Sequence, residues 1–159
     1  RLESGGMKLK FDWCDLEDLV GTSLRRLRNE IGSYQIETDI PPDLPLLRAD
    51  GVLIEQVLIN LLDNAVASIN KKTGHIGVII RYDESRRKVT VAVADDGAGV
   101  PPSYKRKVFE PYFSTKKAGT GLGLAIVSSI ISDHKGEVTV SDNYPTGTIV
   151  SFQLPVGDV

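Results

Sequence analysis

The feature that most constrains the fold is the presence of two long helical patterns, each followed by a predicted strand hairpin. The first helical pattern follows Asp50, and its apolar residues repeat at helical spacing along one stripe. This stripe consists of Ile54, Val57, Leu58, Leu61, Leu62 and Ala65. The segment "HIGVIIRYDESRRKVTVAVAD" then alternates as two strands joined at residues 83–86. The second helix spans residues 121–134 and leads into the strands "GEVTVS" and "GTIVSFQLP".

Upstream of these patterns, "DLEDLVGTSLRRLRNEI" predicts an amphipathic helix capped by Asp15, and "YQIETDI" predicts a strand. Helices and strands of this kind each have one apolar face to bury. The sequence therefore predicts an α/β fold with two layers, a two-layer α/β sandwich. Residues 97–121 form a long segment containing Gly, Pro and Lys. A loop of that length inside a compact domain is either functional or a sign that an element has been misassigned.

Composition excludes several classes of protein. A chain of 159 residues has the size of one domain, and its net charge of −2 gives no reason to expect nucleic acid or an anionic membrane as a partner. Cys14 is the only cysteine, so an internal disulfide and a cysteine-cluster metal site are excluded. No apolar run approaches the roughly 20 residues needed to span a membrane. Because the chain begins with Arg1, we expect a fragment whose parent could still be membrane-bound.

Asn60 and Asn64, in the motif "NLLDNA", are the first candidate site residues. They are four residues apart, so they share one face of the predicted helix, away from its apolar stripe. Such a pair is usually part of a solvated polar face. The alternative is the wall of a site, where an amide oxygen is available to a hard cation such as Mg²⁺.

Asp95 and Asp96 end an apolar strand in the motif "DDGAGV", where Gly97 and Gly99 permit a sharp turn. A carboxylate at a buried strand end needs hydrogen-bond donors, and the exocyclic amine of a base would be one. An ordinary Asp-Gly turn is the simpler interpretation of this motif alone.

Glycines at alternate positions precede the second helix in "AGTGLGLAIVSSII". Backbone N–H groups at a helix N-terminus bind phosphate, and glycine allows their close approach. Lys116 and Lys117 stand beside these glycines and suit phosphate oxygens. The alternatives are a loop that only turns the chain and lysines that are only solvated.

Five motifs in this order resemble those of one family. "NLLDNA", "DDGAGV", "FEPYFSTK", "GTGLGLAIV" and "GTIVSFQLP" are similar to the N, G1, F and G2 boxes and the terminal strand of bacterial sensor histidine kinases. The resemblance covers about residues 50–155 and is closest to nitrogen-regulation or potassium-responsive sensor kinases. "RLESGG" resembles the end of the dimerisation hairpin that precedes the kinase domain. The resemblance thus implies a hairpin end at 1–6 and a catalytic ATP-binding domain at 7–159.

The family fold is the Bergerat ATP-binding sandwich shared with gyrase, the Hsp90 chaperones and MutL. The resemblance therefore implies a mixed, mostly antiparallel sheet and a mobile ATP lid hinged near residues 100 and 120. It implies that Asn64 coordinates Mg²⁺ on the triphosphate, that Asn60 lines the phosphate side, and that both are catalytic. Asp95 would accept from the adenine amino group, Gly97 and Gly99 would let the base approach, and Thr148 would lie behind Asp95. Phosphate binding would involve Lys116, Lys117, Gly119, Thr120, Gly121, Leu122 and Gly123.

Two features depart from the family pattern. Ala67 and Ser68 occupy positions that are basic and aromatic in many members, so Lys116 or Lys117 would have to supply the charge. The phosphoacceptor motif, a His followed by an acidic residue and Arg, is absent, and we interpret His134 as structural. The leading hypothesis is therefore the ATP-binding catalytic domain of a histidine kinase that phosphorylates a separate domain. An ATPase of the same superfamily and a non-catalytic nucleotide-responsive module remain as alternatives.

ATP and Mg²⁺ are the cofactors that the resemblance implies. The implied partners are the phosphoacceptor and dimerisation domain of the same protein and a response regulator. Nucleic acid and direct membrane contact are not expected for this fragment. We expect a cytoplasmic, monomeric fragment of a homodimeric parent, and the parent's attachment to the inner membrane stays open.

Overall fold

A five-stranded sheet forms one layer of the protein in a computed structural model, which describes residues 8–100 and 123–156. The strands in chain order are β1 (Asp12–Cys14), β2 (Gln35–Asp39), β3 (Leu47–Ala49), β4 (His75–Asp83), β5 (Lys88–Asp95), β6 (Glu137–Asp142) and β7 (Thr148–Pro155). The large sheet has the order β2-β4-β5-β7-β6, with β2 parallel to β4 and the other neighbours antiparallel. The predicted mixed, mostly antiparallel sheet is therefore confirmed.

A second, small sheet pairs β1 with β3, and the sequence did not predict either strand. Each has three residues, which is too short for an alternating pattern to be recognised. The pairing joins Trp13 to Arg48, whose guanidinium lies over the indole ring at 5.6 Å from its centroid. The start of the described chain is thereby attached directly before the longest helix.

The helices form the second layer: α1 (Leu16–Arg26), α2 (Arg28–Ile31), α3 (Gly51–Ser68) and α4 (Gly123–Asp133). The predicted cap at Asp15 is confirmed, because Asp15 accepts from the N–H groups of Glu17 and Asp18. Asp50 likewise caps α3 by accepting from the N–H of Leu53. The single predicted helix at residues 16–31 is instead divided at Leu27. The buried Ser23 hydroxyl donates to the Leu19 carbonyl at 2.8 Å, a contact that bends helices.

The core lies between the sheet and α3. Alternate residues of β4, β5 and β7 face the helices, and all six residues of the predicted apolar stripe on α3 are at most 2% exposed. By length and composition alone, α3 could cross a membrane. Its apolar stripe is instead buried in this core, in contact with α1, α4 and the sheet.

His134 lies immediately after α4 and is 5% exposed, which agrees with its interpretation as structural. Its Nε2 accepts from the backbone N–H of Asp50 at 3.0 Å, and its Nδ1 contacts the Ile130 carbonyl at 2.8 Å. Because a carbonyl oxygen can only accept, Nδ1 carries the proton. Phe11 stacks on the ring with centroids 5.2 Å apart. One side chain thus joins the beginning of α3 to the end of α4.

Candidate functional site

The polar face of α3 forms one wall of the candidate site. Asn60 and Asn64 are both half-buried, one helical turn apart. Asn60 Oδ1 accepts from Gln56 Nε2 at 3.2 Å, and Asn60 Nδ2 approaches the Gly123 carbonyl at 3.5 Å. The structure therefore brings the predicted asparagine face against the first residue described in α4.

Asp95 lies at the end of β5 and is 5% exposed. Its Oδ1 accepts from the N–H of Gly97 at 2.9 Å. Across the sheet, Asp95 is paired in register with Thr148, which is 6% exposed. Thr148 therefore lies beside Asp95 on the neighbouring strand, and the Asp95 carboxylate points into the protein rather than into an open turn.

Asp96 is directed away from Asp95 because successive side chains of a strand point to opposite faces. Its carboxylate accepts from the backbone N–H of His75 at 3.0 Å, contacts His75 Nδ1 at 2.9 Å and lies 3.4 Å from Lys71 Nζ. Partial burial raises the pKa of Asp96, but the hydrogen bonds from His75 and Lys71 outweigh this and hold the pKa below its ordinary value. Adjacent aspartates thus have different partners, and Asp96 secures the start of β4.

Gly97 provides a close contact between the β5 end and the C-terminal end of α3. A Cβ at this position would lie 2.3 Å from the Ser68 carbonyl oxygen, so only glycine fits. The N–H of Ala98 donates to the same carbonyl at 3.2 Å. Gly99 has a φ of +83°, a conformation that L side chains rarely adopt. The space beside Ser68 therefore requires glycine at position 97, and the backbone conformation favours glycine at position 99.

The sequence over residues 49–158 matches the family model for histidine kinase-, DNA gyrase B-, and HSP90-like ATPases. The chain belongs to this family. The sensor protein KdpD of Escherichia coli (strain K12) is 35% identical over 159 residues, which cover 98% of this chain and 17% of KdpD. Full-length ShkA in complex with AMPPNP is similar in structure, with a TM-score of 0.86 and 26% identity over 98% of this chain and 33% of ShkA. Histidine kinase ThkA in complex with the response regulator TrrA gives a TM-score of 0.81 and 28% identity over 94% of this chain and 42% of ThkA.

These matches confirm the predicted resemblance to sensor histidine kinases and the predicted α/β sandwich. The chain spans about a fifth of the length of the curated relatives it matches, KdpD and the non-motile and phage-resistance protein of Caulobacter vibrioides. The family match begins at residue 49, directly before α3.

Six of the residues predicted to bind phosphate lie outside the described residues: Lys116, Lys117, Gly119, Thr120, Gly121 and Leu122. The predicted lid and the hairpin end at 1–6 also lie outside them. Gly123 is described, and a Cβ there would meet no atom of the described residues within 4 Å. Packing against the described part of the chain therefore does not require glycine at this position.

The two departures from the family pattern lie at the C-terminal end of α3. Ala67 is exposed, and it offers no charge to a phosphate. Ser68 contributes its backbone carbonyl, which receives the Ala98 N–H and limits the space at Gly97. Position 68 therefore serves the glycine turn through its main chain.

Asn64 on α3 suits the role of a protein ligand for Mg²⁺, because Mg²⁺ commonly binds one or two protein groups together with nucleotide phosphates. The Asn64 side chain makes no hydrogen bond within the described ranges, so its amide oxygen is available for coordination. Across residues 8–100 and 123–156, no cluster of three His, Cys, Asp or Glu residues could hold a metal alone. A Mg²⁺ ion at Asn64 would therefore take most of its ligands from outside the described residues, as phosphate oxygens or water.

The turn between β6 and β7 is a part of the site that sequence reasoning missed. Asn143 Nδ2 donates to the Asp95 backbone carbonyl at 2.8 Å, and the Thr146 hydroxyl lies 3.4 Å from the Asp96 carbonyl. Asn and Gly in "NYPTGT" indicate a turn, but nothing in that pattern indicates its contact with β5.

Proposed function

We propose that this domain binds ATP with Mg²⁺ and donates the γ-phosphoryl group to a histidine on a separate dimerisation domain of its parent protein. One observation carries the proposal: a single helix, α3, contacts both ends of the candidate site. Asn60 approaches Gly123 at the start of α4, while Ser68 contacts the glycine turn after Asp95. These two contacts on α3 are separated by about 12 Å along the helix axis. An elongated ligand with a base at one end and phosphates at the other matches that arrangement.

The base end consists of Asp95 and the glycine turn. We assign Asp95 the role of accepting a hydrogen bond from the adenine amino group, and Thr148 the role of supporting Asp95 from the neighbouring strand. Gly97 and Gly99 keep the turn free of side chains that would obstruct the base. The burial of Asp95 supports this role, because a charge-assisted hydrogen bond is stronger when water is excluded.

The phosphate end consists of Asn60, Asn64 and the beginning of α4. Asn64 would hold Mg²⁺ through its amide oxygen, and the bound ion would neutralise charge on the transferring phosphoryl group. Asn60 would orient the phosphates, and the N-terminus of α4 would offer N–H donors. We assign phosphate contacts to Gly119, Thr120, Gly121, Leu122 and Gly123, and compensating charge to Lys116 and Lys117.

Transfer is favoured over hydrolysis by the chemistry of Asn60. In the related ATPases that the resemblance includes, a Glu occupies this position and activates water. An amide has no useful basicity at neutral pH, so Asn60 cannot act as a general base. Phosphoryl transfer depends mainly on positioning and electrostatic stabilisation, so an external histidine nucleophile would complete the reaction.

The proposed partners are the dimerisation domain of the same protein and a response regulator. The co-structure of ThkA with TrrA supports the second assignment by similarity. We propose a monomeric, cytoplasmic fragment of a homodimeric parent, without direct membrane contact. The net charge of −2 supports the absence of a nucleic-acid partner.

Gamma-labelled ATP provides the test. The chain alone should bind a fluorescent ATP analogue in a Mg²⁺-dependent manner but release little phosphate. Adding the dimerisation domain from the parent protein should lead to label on its histidine, and Asn64→Ala should abolish that transfer.

Three results would contradict the proposal in different ways. Steady phosphate release by the chain alone, abolished by Asn64→Ala, would indicate an ATPase. Mg²⁺-dependent binding without transfer to the dimerisation domain would indicate a nucleotide-responsive module. Absence of ATP binding would refute the nucleotide site itself.

A further inference from the structure

The turn between β6 and β7 holds the backbone of the residue that the proposed function assigns to adenine. Asn143 Nδ2 donates to the Asp95 carbonyl oxygen at 2.8 Å, across 48 residues of sequence. Asn143 Oδ1 accepts from the N–H of Tyr144 at 2.9 Å. Because the oxygen faces a donor and the nitrogen faces an acceptor, these two contacts define the orientation of the amide.

Gly147 brings the same turn close to the strand end. Its φ is +111°, and a Cβ there would lie 1.9 Å from the Asp95 carbonyl oxygen and 2.7 Å from the Asp95 carbonyl carbon. The Asn143 N–H donates to the Gly147 carbonyl at 3.0 Å, which closes the turn. The turn therefore contacts the Asp95 peptide from two directions, through a side-chain donor and through a glycine backbone.

The Asp95 side chain and the glycine turn after it are also held in place. Asp95 Oδ1 accepts from the Gly97 N–H, and the glycine turn is attached to Ser68 of α3. Strand β7 begins only at Thr148, the register partner of Asp95. The Asn143 side chain therefore supplies a donor to the β5 backbone at the edge of the regular ladder.

From these contacts we infer that Asn143 is a positioning residue for adenine recognition: it orients the Asp95 peptide so that the carboxylate meets the exocyclic amine. This inference rests on the proposed function, in which Asp95 accepts from that amine. Asn143 acts through Asp95 and needs no contact with the nucleotide. Loss of its donor would let the strand end rotate and would weaken the hydrogen bond to the amine, while contacts at the phosphate end remain.

Asn143→Asp is the most direct test of the donor to the Asp95 carbonyl. It keeps the shape and the acceptor for the Tyr144 N–H, but it places a carboxylate oxygen against the Asp95 carbonyl where a donor stood. Thr139→Ala is the matched control, because it removes an exposed hydrogen bond of the same 2.8 Å length, to Ser151, from the same strand pair. Thr139 has no role in the proposed site.

The experiment compares the affinities for ATP and for purine riboside triphosphate, which lacks the 6-amino group. In the wild type, loss of the amine should weaken binding about tenfold or more. In Asn143→Asp the ratio of the affinity for ATP to that for purine riboside triphosphate should fall about three- to tenfold toward unity. In Thr139→Ala this ratio should stay at the wild-type value. A purely structural role would weaken both nucleotides equally and leave the ratio unchanged.

The outcomes separate this inference from the proposed function. A wild-type ratio near unity would refute the adenine role of Asp95 and this inference with it. A large wild-type ratio that Asn143→Asp leaves unchanged would overturn only the inference. If Asn143→Asp does not fold, the side-chain amide NMR signal of Asn143 in the wild type decides. It should shift further with ATP than with purine riboside triphosphate, and equal shifts would refute the role.

Discussion

Asp95→Asn should weaken ATP binding about tenfold to a hundredfold while the domain stays folded. The substitution preserves size, and one amide oxygen can still accept from the Gly97 N–H that now donates at 2.9 Å. The other oxygen becomes an NH₂ group, which in the proposed site would face the adenine amine as one donor facing another. A hydrogen bond to a charged group contributes about 1.5–3 kcal/mol, and each 1.4 kcal/mol corresponds to a factor of ten in affinity.

Titration with a fluorescent ATP analogue measures the change, and a thermal melt verifies folding. Asp96→Asn is the matched control, because its carboxylate is engaged by His75 and Lys71 and not by the proposed base. We expect its affinity for ATP to remain within about threefold of the wild type. Equal affinities of wild type and Asp95→Asn, or equal losses in the two variants, would refute the assignment of Asp95 to adenine.

Three further predictions test other parts of the site. Asn64→Ala should remove the Mg²⁺ enhancement of ATP binding, measured as the ratio of affinities with and without Mg²⁺; the same enhancement in variant and wild type would exclude Asn64 as a ligand. Gly97→Ala should destabilise the domain by about 1–3 kcal/mol in chemical denaturation, because its Cβ would lie 2.3 Å from the rigid Ser68 carbonyl oxygen. Gly77→Ala is the control, since its Cβ would meet only the Ile79 side chain at 3.5 Å, and equal stabilities would contradict the steric explanation. The pKa of Asp96 is lowered from 3.8, so its contribution to stability is present above that pH and is lost as the pH falls through the folded-state value. Asp96→Asn should therefore make stability less dependent on pH below about 4, and an unchanged acid limb would contradict this.

The side of the sheet on which Asp95 lies could have been predicted from the sequence. Val89, Val91 and Val93 alternate along β5, and the side chain period of a strand is two residues. Asp95 continues this series and therefore points to the buried face, whereas Asp96 points to the other side. The alternation by itself thus distinguishes the two aspartates.

The contact of Asn143 with β5 could not have been predicted in the same way. It joins residues 48 positions apart, and it depends on the order in which β5 and β7 lie in the sheet. The pairing of β1 with β3 could not be predicted either, because strands of three residues have no periodicity to detect. Local patterns therefore predicted helices, the cap at Asp15 and strand faces, whereas contacts between distant turns required the three-dimensional fold.

The geometry of the candidate site depends on two contacts at opposite ends of the α3–α4 pair. At one end, the backbone N–H of Asp50 donates to His134, and at the other, Asn60 approaches Gly123. Asp50 and Asn60 are ten residues apart, and Gly123 and His134 are eleven apart, so each helix spans roughly 15 Å between the contacts. The helices must therefore run antiparallel, which places the N-terminus of α4 beside the asparagine face of α3. Phe11 stacks on His134, and the Lys10 N–H donates to Asp50 at 2.9 Å, so the segment before β1 contacts the same joint. This segment therefore contacts the two residues, Asp50 and His134, that join the beginning of α3 to the end of α4.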